Sequence, residues 1–400
     1  MKRKIPVLVA LSLMILAVAL TVCITMLFSM NYFSNLVNEV NERRAMYEYI
    51  SEIDTLIRKN YDGVIDEQVL QSSLAKGYID GVGDKYAAYY TSEEYAAIRQ
   101  QLSGKYTGFG LEISIDAENR LVVTGVYKDS AADKAGIQKQ DVLVAVDGSD
   151  VSAKDFESVQ SRLENSSKMM LSASRGGTTT AYNLTSGAIS LTSVEEKIIN
   201  ETTGYIRIYR FSENTPDQFR SAYAALLDAN VENVIFDLRD NAGGSLTAAS
   251  EVVAYLMPRG VFANKVVAST GETESLSAND THQIEIPSVT LVNNNTAGEA
   301  ELFAGVLQEF GKTMVVGTQT AGRAMTQEYF TLSSDSAGVR LSVATLERVS
   351  GGSWEESGIT PGQTVEMVGG QSFELLTEQE DTQLQEALRQ LAVMQGNLVE

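Results

Sequence analysis

The spacing of apolar residues changes along this chain, and each change predicts a different kind of element. After Lys2-Arg3-Lys4, an uncharged stretch runs from Ile5 to Met30. At about 1.5 Å per residue, a helix of this length spans the roughly 30 Å hydrocarbon core of a bilayer. The basic residues before it place the N-terminus in the cytoplasm. A cleaved leader needs small residues at its end. Phe28-Ser-Met30-Asn-Tyr32 supplies none, and Leu20-Thr-Val-Cys23 has a bulky Val22 where a lipobox wants a small residue. The reading is an uncleaved anchor with nearly all of the chain outside the cytoplasm. Ile50, Ile53, Leu56 and Ile57 then recur at helical spacing in a charged segment, which predicts a helical arm over 31–101.

From Gly104 the period becomes two. Leu121 to Val126 alternates as a strand does, and Asp141-Val-Leu-Val-Ala-Val-Asp147-Gly148 reads as a strand closed by an Asp-Gly turn. Phe156 to Leu163 returns to a helical pattern. Further on, Gly204 to Tyr209, Asn233 to Asp237 and Ser288 to Val292 are short apolar runs of the buried-strand type. Helical segments follow at Phe211 to Leu227, at Leu302, Phe303, Val306, Leu307 and Phe310, and from Asp381 onward.

Composition narrows the class. Four hundred residues, 44% hydrophobic and 21% charged, make a globular chain long enough for more than one core. The formal charge of −21 argues against nucleic acid as a partner. Cys23 is the only cysteine and falls in the anchor, so no intrachain disulfide can form. No Cys/His cluster suits a metal and no phosphate-cradling glycine loop occurs, so no cofactor is expected.

Tyr106-Thr-Gly108-Phe109-Gly110-Leu111-Glu-Ile113, Ser130-Ala-Ala-Asp-Lys-Ala-Gly136 and the elements around them resemble, in order and spacing, a PDZ domain over 104–185. The resemblance makes Gly108, Phe109, Gly110 and Leu111 the loop that binds a peptide's terminal carboxylate. A PDZ domain takes an extended tail as an added strand.

Two later segments extend the likeness. Asp237-Leu-Arg-Asp-Asn-Ala-Gly243-Gly244 and the run from Asn293 to Gln327 resemble the C-terminal processing (tail-specific) peptidases, whose reactive groups are a serine and a lysine. Without a gap, the serine position falls on Gly298, the lysine position on Arg323, and the supporting glutamine on Gln327. The resemblance gives Gly243 and Gly244 the role of backbone donors beside the scissile carbonyl. Thr296-Ala-Gly298-Glu299 has the spacing of a capping box, which puts Gly298 in the first turn of a helix with Thr296 as its cap. Glycine has no side chain to attack with, and a guanidinium does not lose its proton. Loss of a nucleophile alone costs on the order of a million-fold in turnover. Arg323, permanently cationic, could hold a peptide carboxylate.

The expected class is α/β, with a crotonase-like β-β-α spiral core at 186–400, an inserted PDZ domain, a helical N-terminal arm and one transmembrane helix. The expected protein is a membrane-anchored pseudopeptidase that binds the C-terminal tails of extracytoplasmic proteins, or restrains an active relative. A homodimer through the arm and last helix would also fit the family. Two other readings stand beside it. One is an active endopeptidase with another nucleophile, for which Ser245 has no identifiable base and His282, the only histidine, sits in a polar run. The other is a membrane-tethered PDZ scaffold whose old groove has filled.

Overall fold

The computed structural model describes residues 7–116, 118–279, 283–367 and 373–396, and the chain divides into two units, 1–71 and 72–400. The first unit is dominated by one helix, Val7–Asn60, in which Arg58 pairs with Asp54 one turn earlier. Among the described residues no helix is long and apolar enough to cross a membrane. The expected anchor lies partly outside them.

In the second unit, a six-stranded sheet runs Val194–Ile198, Thr203–Ile208, Asn233–Asp237, Ser288–Val292, Met314–Gly317, Gln363–Thr364 in spatial order. The first pair is antiparallel and the rest are parallel. Parallel strands need a cover on both faces, which accounts for the unbroken apolar runs in the sequence. Val234 and Phe236 point into one core with Phe219, Leu256 and Phe303, contributed by the helices Thr215–Asp228, Leu246–Leu256 and Glu299–Glu309. Ile235, Val289, Leu291 and Val316 point the other way, onto Leu384, Ala387 and Leu391 of the helix Thr382–Met394. The first of these helices begins later than the apolar pattern from Phe211 implied. Phe211 and Ser212 bridge instead to the loop at Gly243–Gly244 and to Thr215.

A second, antiparallel sheet joins Ala88–Tyr90 to Gly338–Arg348, then to Gly260–Val267 and Thr273–Ala278, with Met325–Thr331 also paired to Gly338–Arg348. The residues just before the PDZ domain therefore belong to the core sheet. The PDZ domain enters and leaves through one ribbon, Lys105–Gly108 against Gly187–Ser190. Its own antiparallel sheet, Leu111–Ile115, Leu121–Val126, Val142–Val146, Lys168–Arg175 and Thr178–Thr185, closes on Phe109, Leu121, Leu143, Val159 and Leu171. Ser130 caps the short helix Ala131–Ala135 by accepting from the Asp133 N–H, and Gly136 ends it at φ +81°.

The strand Asn233–Asp237 ends in a buried ionic knot. Arg239 is 2% exposed and lies 2.6 Å from Asp237 and 2.8 Å from Asp381. The Tyr205 hydroxyl donates to Asp237 at 2.7 Å, and the ring of Phe373 lies 3.8 Å from the guanidinium carbon. Asp381 also caps the last helix, accepting from the Leu384 N–H at 3.0 Å. The knot therefore ties that helix to the loop that carries Gly243 and Gly244. Arg239→Ala leaves two carboxylates buried without their cation, and it should cost about 3–5 kcal/mol of stability, read as a lower urea midpoint. A midpoint equal to that of the native protein would show that the knot is not what holds the helix.

Candidate functional site

Gly298 and Arg323, 25 residues apart in sequence, meet in space. A Cβ built on Gly298 would lie 3.9 Å from Arg323 Nε, 3.8 Å from Gly243 Cα and 3.6 Å from the Ala242 carbonyl. Nothing blocks a side chain there, but the backbone resists one. At φ +60°, ψ −123° the residue is outside every region that L side chains favour. The same torsion corrects the capping box read from the sequence. A helix cannot begin before such a residue, so it starts at Glu299 with Gly298 as its N-cap. The Gly298 N–H donates to Glu301, at 3.1 Å. Thr296 is a loop brace and not a cap. Its hydroxyl donates to the Leu238 carbonyl at 2.8 Å and accepts from the Asn293 N–H at 3.0 Å.

Glu301, fully buried, organises both sides of the site. It also accepts from the N–H groups of Gly322 at 2.8 Å and Arg323 at 2.7 Å, and from the Thr320 hydroxyl. Glu355 does the same one step along, taking the N–H groups of Ala324 at 2.6 Å and Met325 at 3.0 Å, while Lys85 lies 3.1 Å from its other oxygen. Neither glutamate stood out in the sequence. Acidic residues in the first turn of a helix usually answer its dipole, and nothing local marks Glu301 as the acceptor for a segment some twenty residues away.

Arg323 is half-buried. Its Nη2 donates to the Ala242 carbonyl at 2.6 Å, its guanidinium lies 5.7 Å from the Tyr86 ring, and its Nε is buried without a partner. Gly243 and Gly244 stand where a tight approach demands them. A Cβ on Gly244 would fall 2.1 Å from the Phe211 carbonyl, and one on Gly243 would fall 2.4 Å from Glu299 Oε2. Both N–H groups are engaged: Gly243 donates to Asn241 Oδ1 at 2.9 Å, and Gly244 to Glu299 Oε2 at 2.8 Å. Burial pushes the Glu299 carboxyl above the usual glutamate range, opposed by the Gly244 N–H, by its own N–H and by the charge of Arg323. Gly243, Gly244, Glu299 and Arg323 line one cleft of about 380 Å³, with Gln327, Tyr209 and Tyr329 on its walls.

Of the other candidates, Ser245 caps the helix Leu246–Leu256 by accepting from the Ala248 N–H at 3.3 Å. His282 lies outside the described residues. In the PDZ domain, Gly108 ends the entry ribbon, Phe109 is buried, Gly110 accepts from the Tyr127 N–H at 3.0 Å, and Leu111 opens the next strand. Leu111, Ile113, Gln160 and Leu163 line a cavity of about 730 Å³, together with Ala96, Ala97 and Gln100 of the preceding helix.

Comparison with known proteins agrees with this architecture. The model of peptidase family S41 matches residues 202–365, and a PDZ-domain model matches residues 122–173. A carboxyl-terminal-processing protease of Synechocystis is 32% identical over 305 residues, covering 74% of this chain and 71% of that protein. The carboxy-terminal processing protease CtpB of Bacillus subtilis is 24% identical over 328 residues, covering 80% of this chain and 68% of that one. A solved structure of a candidate S41 protease from Bacteroides fragilis shares the fold at a TM-score of 0.50 and 18% identity, over 87% of this chain and 97% of that one. The chain is an S41 peptidase-fold protein with a PDZ domain. It belongs to the carboxyl-terminal processing protease family.

The raised Glu299 carboxyl has a measurable sign. Above the ordinary glutamate range, near pH 4.3, the folded protein retains a proton that the unfolded chain has lost, so this residue's contribution to stability falls as pH rises. Glu299→Gln should therefore gain stability relative to the native protein with increasing pH, seen as urea midpoints that diverge from acid to neutral conditions. Parallel midpoints across that range would contradict the assignment.

Proposed function

We propose that this protein is a catalytically silent, membrane-anchored member of the family that binds the C-terminal tails of extracytoplasmic proteins through its PDZ domain. The observation that carries the reading is the meeting of Gly298 and Arg323 beside the cleft. The position from which a nucleophile would act has no side chain, and the group beside it is a guanidinium 3.9 Å from the vacant Cβ place. A serine–lysine mechanism needs an amine that can give up its proton, and arginine does not supply one. Ser245, the serine that follows the Gly243–Gly244 pair, is committed to a helix cap, and the Thr296 hydroxyl to the Leu238 carbonyl.

What remains is recognition. The PDZ loop Gly108–Leu111 and the cavity beside Leu111 and Ile113 have the form that takes a tail as an added strand and holds its carboxylate with backbone N–H groups. The uncharged run from Ile5 to Met30 would hold this domain at the outer face of a membrane, with Lys2, Arg3 and Lys4 inside. The core is expected to follow the crotonase-like β-β-α spiral.

The full-length protein in detergent should leave an unstructured reporter with an apolar C-terminus uncut. It should bind the same tail as a free acid at least about tenfold more tightly than as an amide, a difference of roughly 1.4 kcal/mol. Turnover by the native chain would overturn the silent reading in favour of an endopeptidase with another nucleophile. Equal affinity for acid and amide would remove the PDZ loop from tail recognition.

A further inference from the structure

The vacated cleft is not an open one. Among the groups that could stabilise charge on a peptide carbonyl are the N–H of Gly244 and the N–H of Glu299, the first helical residue after Gly298. The Gly244 N–H donates to the carboxyl of Glu299 itself, and that oxygen and the Glu299 nitrogen both lie beside Gly243. That side chain is 7% exposed, and its Oε2 sits 2.8 Å from the Gly244 nitrogen. It is packed so closely under the loop that a methyl group on Gly243 would overlap it at 2.4 Å. The remaining nearby donors are also taken, with Gly243 on Asn241 and Gly298 on Glu301.

We propose that Glu299 is an internal occupant of the cleft's donor pocket: its carboxylate fills the place of an acyl oxygen or peptide carboxylate and excludes both. The proposal rests on reading the Gly243–Gly244 loop as the backbone-binding element of an emptied peptidase cleft. A carboxyl group that accepts a backbone N–H beside a helix N-terminus is in a favourable place. To displace it, an incoming carbonyl would have to return a buried acid to water and take over its hydrogen bonds. An incoming carboxylate would find the Gly244 donor already taken by the Glu299 side chain. The chain has thus lost three elements of turnover: the nucleophile at Gly298, the base at Arg323, and the vacancy in which an oxyanion would form. Restoring the first two leaves the third.

The test separates the occupant from the ancestry of the cleft. Amide exchange resolved at Gly244 in the full-length protein should be at least about tenfold faster in Glu299→Ala than in the native chain. Glu299→Gln, which keeps an acceptor oxygen, should exchange like the native protein. The flanking amides of Gly243 and Ser245, bonded to Asn241 and to the Phe211 carbonyl, serve as internal controls. Equal exchange at Gly244 in the native and alanine proteins would overturn the proposal. Cleavage of the reporter is then compared in Gly298→Ser/Arg323→Lys and in the same pair with Glu299→Ala. The added alanine should raise the rate by about a hundredfold, the scale on which one oxyanion donor matters. A double variant that cleaves the reporter as fast as an active triple would also overturn it. Silence of both variants, with the exchange difference intact, would leave Glu299 as the occupant and count against the cleft as an emptied peptidase site.

Discussion

One buried carboxylate, that of Glu301, holds the two sides of the cleft together. Four donors converge on it, from Gly298 on the helix side and from Thr320, Gly322 and Arg323 on the other. A fully buried acid with no cation against it is tolerable only when hydrogen bonds replace its water shell. Here three of the four are backbone N–H groups, whose positions depend little on which side chains the donor residues carry. The chain can therefore have glycine at 298 and arginine at 323 and still bring those residues together. The approach of these two segments is a property of backbone and Glu301.

The torsions at Gly298 add an energetic side to that separation. Holding a residue with a side chain at φ +60°, ψ −123° costs of order 1–3 kcal/mol, strain that a catalytic residue justifies by its function. Glycine holds these torsions without that strain. Arg323 compensates in its own way, because its guanidinium reaches the Ala242 carbonyl at 2.6 Å and pins the loop that leads to Gly243. Gly298 and Arg323 therefore leave the frame relaxed and cross-linked.

Much of this architecture could be read from the sequence, because it is written in local patterns. Apolar runs such as 233–237 and 288–292 became buried strands, since helices cover both faces of their sheet. The fixed spacing between Gly298 and Arg323 located two residues that do meet. What was not legible depended on partners distant in sequence. Thr296 had the right spacing to cap a helix, but the torsion forced at Gly298 moved the helix start and left Thr296 bonded to Leu238. Glu299 looked like the closing residue of a capping box, and only the fold shows its carboxylate under Gly244. Glu355 had no local signal at all, yet it accepts two N–H groups just past Arg323.

The contrast between the two concave surfaces follows from where their hydrogen-bonding capacity goes. In the cleft, the N–H groups of Gly243, Gly244 and Gly298 are spent on Asn241, Glu299 and Glu301, all side chains of the protein itself. A peptide entering there would trade existing bonds for equivalent ones and gain little, since exchanging hydrogen bonds is nearly neutral while stranding a buried acid is not. Beside the PDZ loop, the strand Leu111–Ile115 pairs with Leu121–Val126 on one edge, and its other edge faces a cavity of about 730 Å³. An added strand there can form new backbone bonds without breaking old ones. Unspent backbone hydrogen-bonding capacity therefore lies at the PDZ edge, while the donors of the cleft serve the fold.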